Sequence, residues 1–370
     1  MATPSTPHHV LLAGGGSGGH VFPALAVGEE LIFRGWRVSF TGMAAGMEAG
    51  LVAARGVDFH PLPARPLVGR GLAGKARALA TVASSAFAAR RLVRTIGADV
   101  ALGTGGYVSA PAVLGARLAA RPVLLLEPNG RAGVANRWLS RVATGAAVGY
   151  QEAIQDLHCP CWVTGVPVRA AFFAIALDLP PLAAPRLLVL GGSQGAQQIN
   201  QAMPAAAAAL AARFPALRIV HQAGARHVDA ARAAYAAAGV GTPHVEVVPF
   251  LDDVAAAMAA SHLLVSRAGA ITLAEVCAAG RPSLLLPLSI AQGHQVENAR
   301  VLADAGAAAM LPSDQVSGDR LTEILAGLLA DGERLAAMGR AARALARPRA
   351  AADIADRVEQ IAQTAAGRAV

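Results

Sequence analysis

The sequence predicts an α/β protein built as two doubly wound parallel-sheet domains, and three observations carry that reading. Short apolar runs alternate with alanine-rich stretches of helical length along almost the whole chain, the pattern of repeated βαβ units. The apolar runs are mostly unalternated, as strands are when both faces of a sheet are covered. A strand, glycine turn and helix occur in succession at 10–26 and again at 186–196, so each half of the chain opens on a loop of its own.

Composition bounds the function. At 370 residues there is room for two domains with ordinary cores. Hydrophobic residues make up 54% and charged residues 15%, which excludes disordered and fibrous classes. No apolar run reaches the roughly 18 residues of a spanning helix, and residues 1–9 lack the features of a signal peptide. Cys159, Cys161 and Cys277 make no metal-type cluster, and so few cysteines suggest reduced thiols in a cytosol. The net charge of +8 is concentrated in residues 1–150, which hold 15 basic and 6 acidic side chains. Between 59 and 98 lie Arg65, Arg70, Lys75, Arg77, Arg90, Arg91 and Arg94 with no acid among them. That segment points to an anionic partner, a membrane surface or a polyphosphate. Nucleic acid is disfavoured, because aromatic residues for base stacking amount to 4%.

Taken in order, the chain starts with a buried strand at 10–13 and the loop Gly14-Gly15-Gly16-Ser17-Gly18-Gly19. Five glycines in six positions allow positive φ and let a ligand approach the backbone. The helix that follows presents its free N–H groups to an anion, typically a phosphate. Pro23 is expected in that helix's first turn, and His20 is the only titratable side chain of the loop. Further strands are expected at 37–41, 98–102, 122–126, 186–190, 217–221, 245–248, 263–266 and 283–287. A third glycine loop, 103–111, follows the strand at 98–102 and carries Tyr107 as a polar handle. Loops at several strand C-terminal ends outline the place where open α/β sheets bind ligands. The boundary between domains is expected near 164–167 or in the proline-rich 179–185. The last segment, 350–366, is a helix with no strand after it.

Several chemistries can be set aside. A dinucleotide site wants an acid ending the second strand, and 37–42 ends without one. A Walker loop is excluded because Lys75 is the chain's only lysine. Ser193 in Gly191-Gly192-Ser193-Gln194-Gly195 lacks an Asp/His pair, so its natural partner is a phosphate. The run 266–275 is again strand, turn at Gly269 and helix, with Glu275 placed to accept bonds from ribose hydroxyls. The run 292–299 sets amides at a helix start, suited to sugar hydroxyls or to capping. No Asp-x-Asp pair or metal-ligand spacing occurs, so Arg and helix dipoles would neutralise a bound diphosphate.

Eight ordered blocks (14–26, 103–111, 127–136, 165–169, 191–200, 250–253, 267–275 and 295–299) closely resemble the MurG family, the UDP-N-acetylglucosamine transferases of peptidoglycan synthesis in glycosyltransferase family 28. The resemblance implies a GT-B fold, with two Rossmann-like domains facing across a cleft and a C-terminal helix returning to the first. It implies an acceptor- and membrane-side domain over 1–166 plus 350–366, and a donor-binding domain over 167–349. The implied reaction is inverting, metal-independent and cofactor-free: GlcNAc passes from UDP-GlcNAc to the 4-hydroxyl of MurNAc in lipid I, giving lipid II. By matching positions, the donor contacts Ser17, Gly18, Gly19, Asn129, Arg169, Ser193, Leu251, Ala270, Ile271, Thr272, Leu273, Ala274, Glu275 and Gln295. Within that set Glu275 holds the ribose, the Leu251 backbone the uracil edge and Gln295 the sugar. Gly105, Gly106, Tyr107 and Asn136 fall on the acceptor side. His20 is the expected general base, its unperturbed pKa lying near neutrality, with Glu127 the alternative.

Two departures lie on the acceptor side: Leu126-Glu127-Pro128-Asn129 stands for the family's His-Glu-Gln-Asn, and Val166 for its Asn. The basic segment gains a meaning, since Leu72, Leu79, Val82, Phe87, Val93 and Ile96 recur at helical spacing among Arg and Lys, suiting anionic lipid. A peripheral protein on the cytoplasmic face of the inner membrane is implied. Two other readings stay open: a transferase of this fold with another lipid acceptor such as diacylglycerol, and a non-catalytic nucleotide-sugar binding protein. A UDP-GlcNAc 2-epimerase would need a cluster of catalytic acids that the sequence lacks.

Overall fold

A computed structural model describes residues 8–64, 72–192, 195–288 and 294–367. Two compact units divide the chain: residues up to Val168 together with those from Arg347 onward, and Arg169–Ala346.

The first unit runs β1 (His9–Ala13), α1 (Gly18–Phe33), β2 (Arg37–Gly42), α2 (Met47–Ala53), β3 (Asp58–Pro61), α3 (Leu72–Ile96), β4 (Val100–Gly103), α4 (Gly106–Leu118), β5 (Val123–Glu127), α5 (Val134–Leu139), β6 (Gly145–Val148) and β7 (Cys161–Val163). Its strands pair in the order β3-β2-β1-β4-β5-β6-β7, all parallel. Successive β1 residues alternate between two cores. Val10 and Leu12 face α1, and Leu11 faces the opposite layer with Val113 of α4. The strand order reverses between β1 and β4, so the loops at 14–19 and 103–106 flank the topological switch point where doubly wound sheets take ligands.

The second unit runs α6 (Ala170–Phe173), β8 (Arg186–Leu190), α7 (Gln197–Arg213), β9 (Arg218–Gln222), α8 (Val228–Ala237), β10 (Val245–Val248), α9 (Val254–Ala259), β11 (Leu263–Ser266), α10 (Ala270–Ala279), β12 (Ser283–Leu285), α11 (His294–Asp304), β13 (Ala308–Met310), α12 (Gly318–Leu329) and α13 (Gly332–Ala344). Its parallel order is β10-β9-β8-β11-β12-β13, and the switch point falls between β8 and β11. The last helix, α14 (Ala350–Gly367), packs on α1 of the first unit. Ile354, Ala355 and Val358 are fully buried there. Arg34, at the end of α1, bonds Asp356 at 2.6 Å, Glu359 at 3.2 Å and the Ala352 carbonyl at 3.2 Å.

Each strand expected from the sequence is present within a residue or two. Four others were not expected: β3, with a Pro and an Asp in its four residues, β6 and β13, which are mostly Gly and Ala, and the three-residue β7. None offers the run of branched apolar side chains that marks a buried strand. Pro23 is not in a first turn. The helix starts at Gly18, so the proline lies within it and removes the N–H that would bond the Gly19 carbonyl.

Candidate active site

In the first unit the site starts from the turn after β1. Gly16 has φ +79°, and Ser17 is the N-cap of α1, yet its hydroxyl makes no capping bond. The first-turn amides of Gly18 and Gly19 therefore have neither an intrahelical acceptor nor a cap, an arrangement that suits an anion.

His20 follows within that turn. Its Nδ1 lies 2.7 Å from the Thr104 carbonyl oxygen, and a carbonyl can only accept, so Nδ1 carries a proton and Nε2 is the ring nitrogen left to exchange one. Thr104 also clasps the loop from the other direction, its hydroxyl lying 2.8 Å from the His20 carbonyl and 3.2 Å from that of Ala13. Nε2 faces the α-carbon of Gly106, where an added Cβ would come within 3.2 Å of it. Gly105 and Gly106 take φ of +88° and +71°, a conformation that other residues adopt only with strain. Tyr107 is half-buried and its hydroxyl reaches Met43 Sδ at 3.9 Å.

Glu127 ends β5 and is 2% exposed. One carboxylate oxygen accepts from the Asn129 amide N–H at 3.0 Å and side chain at 2.9 Å, the other from Gly133 N–H at 2.9 Å and Asn136 Nδ2 at 3.0 Å. Four donors occupy its lone pairs, so this carboxylate shapes the loop and orients Asn129. Asn136, 1% exposed, also donates to the Leu126 carbonyl at 3.0 Å, while its Oδ1 has no partner among the described residues. It lies beneath Gly105, where a Cβ would meet Nδ2 at 3.0 Å. The two family departures lie against one glycine. Pro128 and Val166 flank Gly149, whose Cβ would stand 2.7 Å from both the Pro128 carbonyl oxygen and Val166 Cγ2. Leu126 is fully buried in the core.

In the second unit Arg169 caps α6 with its guanidinium over the Phe172 ring, 4.9 Å from the centroid, and lies 3.9 Å from Glu275 of α10. Burial pushes the Glu275 carboxyl up to about 7, against the pull of Arg169. Gly269 is the N-cap of α10. Ile271, Thr272 and Ala274 are partly exposed, whereas Ala270 and Leu273 are buried, so the latter two offer a ligand their backbone only. Arg267 donates to the Leu286 carbonyl at 3.0 Å and Gln198 Oε1 at 3.1 Å. Asn298 ties Ala268 at 3.3 Å. Leu251 lies in the loop after β10, beside the exposed Phe250. Gln295, in the first turn of α11, accepts from Leu288 N–H at 3.1 Å. Ser193 lies outside the described residues.

The sequence-predicted residues thus gather at the C-terminal strand ends of each unit: Ser17, Gly18, Gly19, His20, Gly105, Gly106, Tyr107, Glu127, Asn129 and Asn136 in the first, Arg169, Leu251, Ala270 to Glu275 and Gln295 in the second. Thr104 and Glu48, which bond the backbone of the loop after β1, were not singled out from the sequence. Thr104 stood in plain view within the third glycine loop, and Glu48 sits among Gly42, Gly46 and Met47, where a lone acid between glycines was the available signal.

Two glycine-led switch points, with an imidazole on one and an Arg–Glu pair on the other, define a glycosyltransferase of the two-domain nucleotide-sugar class. The model of the glycosyltransferase family 28 N-terminal domain matches residues 10–148, and that of the family 28 C-terminal domain residues 186–358. The chain belongs to glycosyltransferase family 28, in its MurG group. A protein of Halorhodospira halophila (strain DSM 244 / SL1) named UDP-N-acetylglucosamine–N-acetylmuramyl-(pentapeptide) pyrophosphoryl-undecaprenol N-acetylglucosamine transferase is 42% identical over 369 residues, covering 96% of this chain and 98% of that protein. One of the same name from Stutzerimonas stutzeri (strain A1501) is 41% identical over 94% of this chain and 97% of its own length. The crystal structure of Acinetobacter baumannii MurG matches with a TM-score of 0.72 and 32% identity, over 96% of this chain and 100% of that one. A UDP-N-acetylglucosamine 2-epimerase from Listeria monocytogenes, described as putative, shares the fold at 16% identity, TM-score 0.69, over 94% of this chain and 95% of that one.

Proposed function

We propose that this protein transfers GlcNAc from UDP-GlcNAc to the 4-hydroxyl of the MurNAc unit of lipid I, forming lipid II. The observation that carries the proposal is His20, with Nδ1–H held by the Thr104 carbonyl and Nε2 directed at Gly106 in the acceptor-side loop. The step is a single displacement. The acceptor oxygen attacks the anomeric carbon, the bond from that carbon to the diphosphate oxygen breaks, UDP departs and the configuration inverts. The proton of the attacking hydroxyl passes to His20 Nε2. We assign the base to His20 rather than Glu127, whose oxygens are already engaged by four donors.

In this reading the first unit takes the acceptor through Gly105, Gly106, Tyr107 and Asn136, and Ser17, Gly18, Gly19 and Asn129 of the same unit reach the donor. The second unit binds the nucleotide. Glu275 accepts from the ribose hydroxyls, the Leu251 backbone meets the uracil edge, and Gln295 meets the sugar. Charge developing on the leaving UDP is met by Arg169, Ser193 and the N-terminus of α10, fixed dipoles and charges in place before the reaction.

The membrane reading rests on the outer surface of α3 and α4. Phe87 is 59% and Leu118 49% exposed. With Leu114 and Val142 they line an apolar groove of about 640 Å³ that Arg117 and Arg141 border. Exposed apolar side chains ringed by cations suit an anionic lipid surface, and the lipid-linked acceptor gives the protein reason to be there.

Incubation with radiolabelled UDP-GlcNAc and a soluble lipid I analogue tests the proposal. A labelled disaccharide with a β-linkage to the MurNAc 4-oxygen is the expected product. UDP-GlcNAc binding with no transfer to this acceptor would reject it in favour of another acceptor or a binding role.

A further inference from the structure

The carboxylate of Glu48 is fully buried and has no role in the mechanism above. It lies in the first turn of α2 and has no cationic partner among the described residues. Its bonds are to backbone: Oε1 accepts from Met43 N–H at 2.8 Å and Oε2 from Gly16 N–H at 3.4 Å. Burying an unpaired carboxylate costs several kcal/mol that an apolar side chain would avoid, so its presence calls for a specific use. Its surroundings are shaped to it. A Cβ on Gly15, Gly42 or Gly46 would collide with this side chain, and of these three only Gly15 belongs to the loop after β1. The negative φ of −83° at Gly46 is one that alanine adopts readily, so room for the carboxylate, rather than backbone conformation, accounts for that glycine.

We propose that Glu48 is a positioning residue: by holding the Gly16 amide it sets the loop that presents Ser17, Gly18, Gly19 and His20 to substrate. The role belongs to a carboxylate. Met43 and Gly16 each offer it an N–H, so both of its oxygens must accept. A glutamine would answer one and turn its own NH₂ donor toward the other. Gly16, at φ +79°, is the link through which the loop would then move.

The proposal rests on the transferase reading, and its test separates the two. Transfer kinetics of wild type and Glu48→Gln are compared with the amide spectrum of ¹⁵N-labelled protein. In the variant kcat per folded molecule is expected to fall about 10- to 100-fold, the cost typical of a misplaced catalytic group. The donor KM should rise as well, because Ser17, Gly18 and Gly19 reach the donor, and the Gly16 and His20 amide resonances should shift. Glu48→Asp, which keeps both acceptors on a shorter stem, should recover part of the loss. Should Glu48→Gln fail to fold, Gly46→Ala supplies the second variant, since its new Cβ displaces the same carboxylate from outside the loop and should lower kcat likewise. Unmoved Gly16 and His20 resonances overturn the positioning role even if the protein transfers no sugar. So does a variant kcat within twofold of wild type.

Discussion

Glu275 titrates near neutrality because burial outweighs an arginine 3.9 Å away. Its folded pKa lies above the ordinary carboxyl value, so the free protein binds this proton more tightly than the unfolded chain does. Stability from this group is therefore greatest at low pH and falls as pH rises from about 4.5 to about 7. The loss is on the order of 3 kcal/mol. Ribose hydroxyls that donate to the carboxylate favour its charged form and draw the pKa down again. Donor binding at pH 6.5 should thus release a proton, and donor affinity should rise between pH 6 and 8. Calorimetry in buffers of different ionisation enthalpy reads that proton directly. Glu275→Gln should abolish the release and weaken donor binding, whereas a wild type that releases none would contradict the ribose assignment. Asn136 shows the opposite economy at this scale: both of its NH₂ hydrogens are engaged within the protein, and its buried Oδ1 is the atom left over.

At the scale of elements, α14 explains itself. A helix with no strand to follow has a buried face only because α1 receives it, and Arg34 bonds both carboxylates and backbone of that helix. The sequence also predicts an interfacial stripe along α3, part of it packed on the sheet, and here the elements divide the residues. Val93 is buried and Ile96 packs against the core beneath the sheet. The side chains of Leu72 and Leu79 lie outside the described residues. Phe87 remains exposed and acquires neighbours from other elements, Leu118 at the end of α4 and Val142 after α5. Periodicity along one helix cannot reveal a patch assembled from three elements. Close approach of α3 to α4 depends on Gly115, where a Cβ would stand 2.7 Å from the Ala86 carbonyl and the Arg90 amide. Flotation with vesicles containing anionic lipid should recover the wild type and lose most of a Phe87→Glu, Leu118→Glu variant. Transfer to a soluble acceptor analogue should be unchanged in that variant. Equal flotation of both proteins would place the membrane contact elsewhere.

Across the whole molecule, the double βαβ architecture was legible because fully buried strands such as Val10 to Leu12 and Leu187 to Leu190 are written in branched apolar residues. The glycine loops were legible because positive φ at Gly16, Gly105, Gly106, Gly192 and Gly195 leaves glycine as the unstrained choice. The strands made of Ala and Gly escaped notice, since their pairing is set by neighbours rather than by their own side chains. The same limit hid Glu48 and Thr104, whose work is done on backbone groups far away in sequence: Thr104 bonds residues 84 and 91 positions distant. Pro128 and Val166, two separate departures from the family pattern, are seen to lie against the same residue, Gly149, only in three dimensions. What joins these observations into a mechanism is His20, its Nδ1–H committed to Thr104 and its Nε2 the nitrogen placed to take a proton. The most direct measurement is therefore single-turnover transfer of GlcNAc to a soluble lipid I analogue by wild type and His20→Ala, with UDP-GlcNAc affinity determined alongside. The mechanism predicts a loss of about 10²- to 10⁴-fold in rate with donor affinity nearly preserved, and a rate within a few-fold of wild type would remove His20 from the role of base.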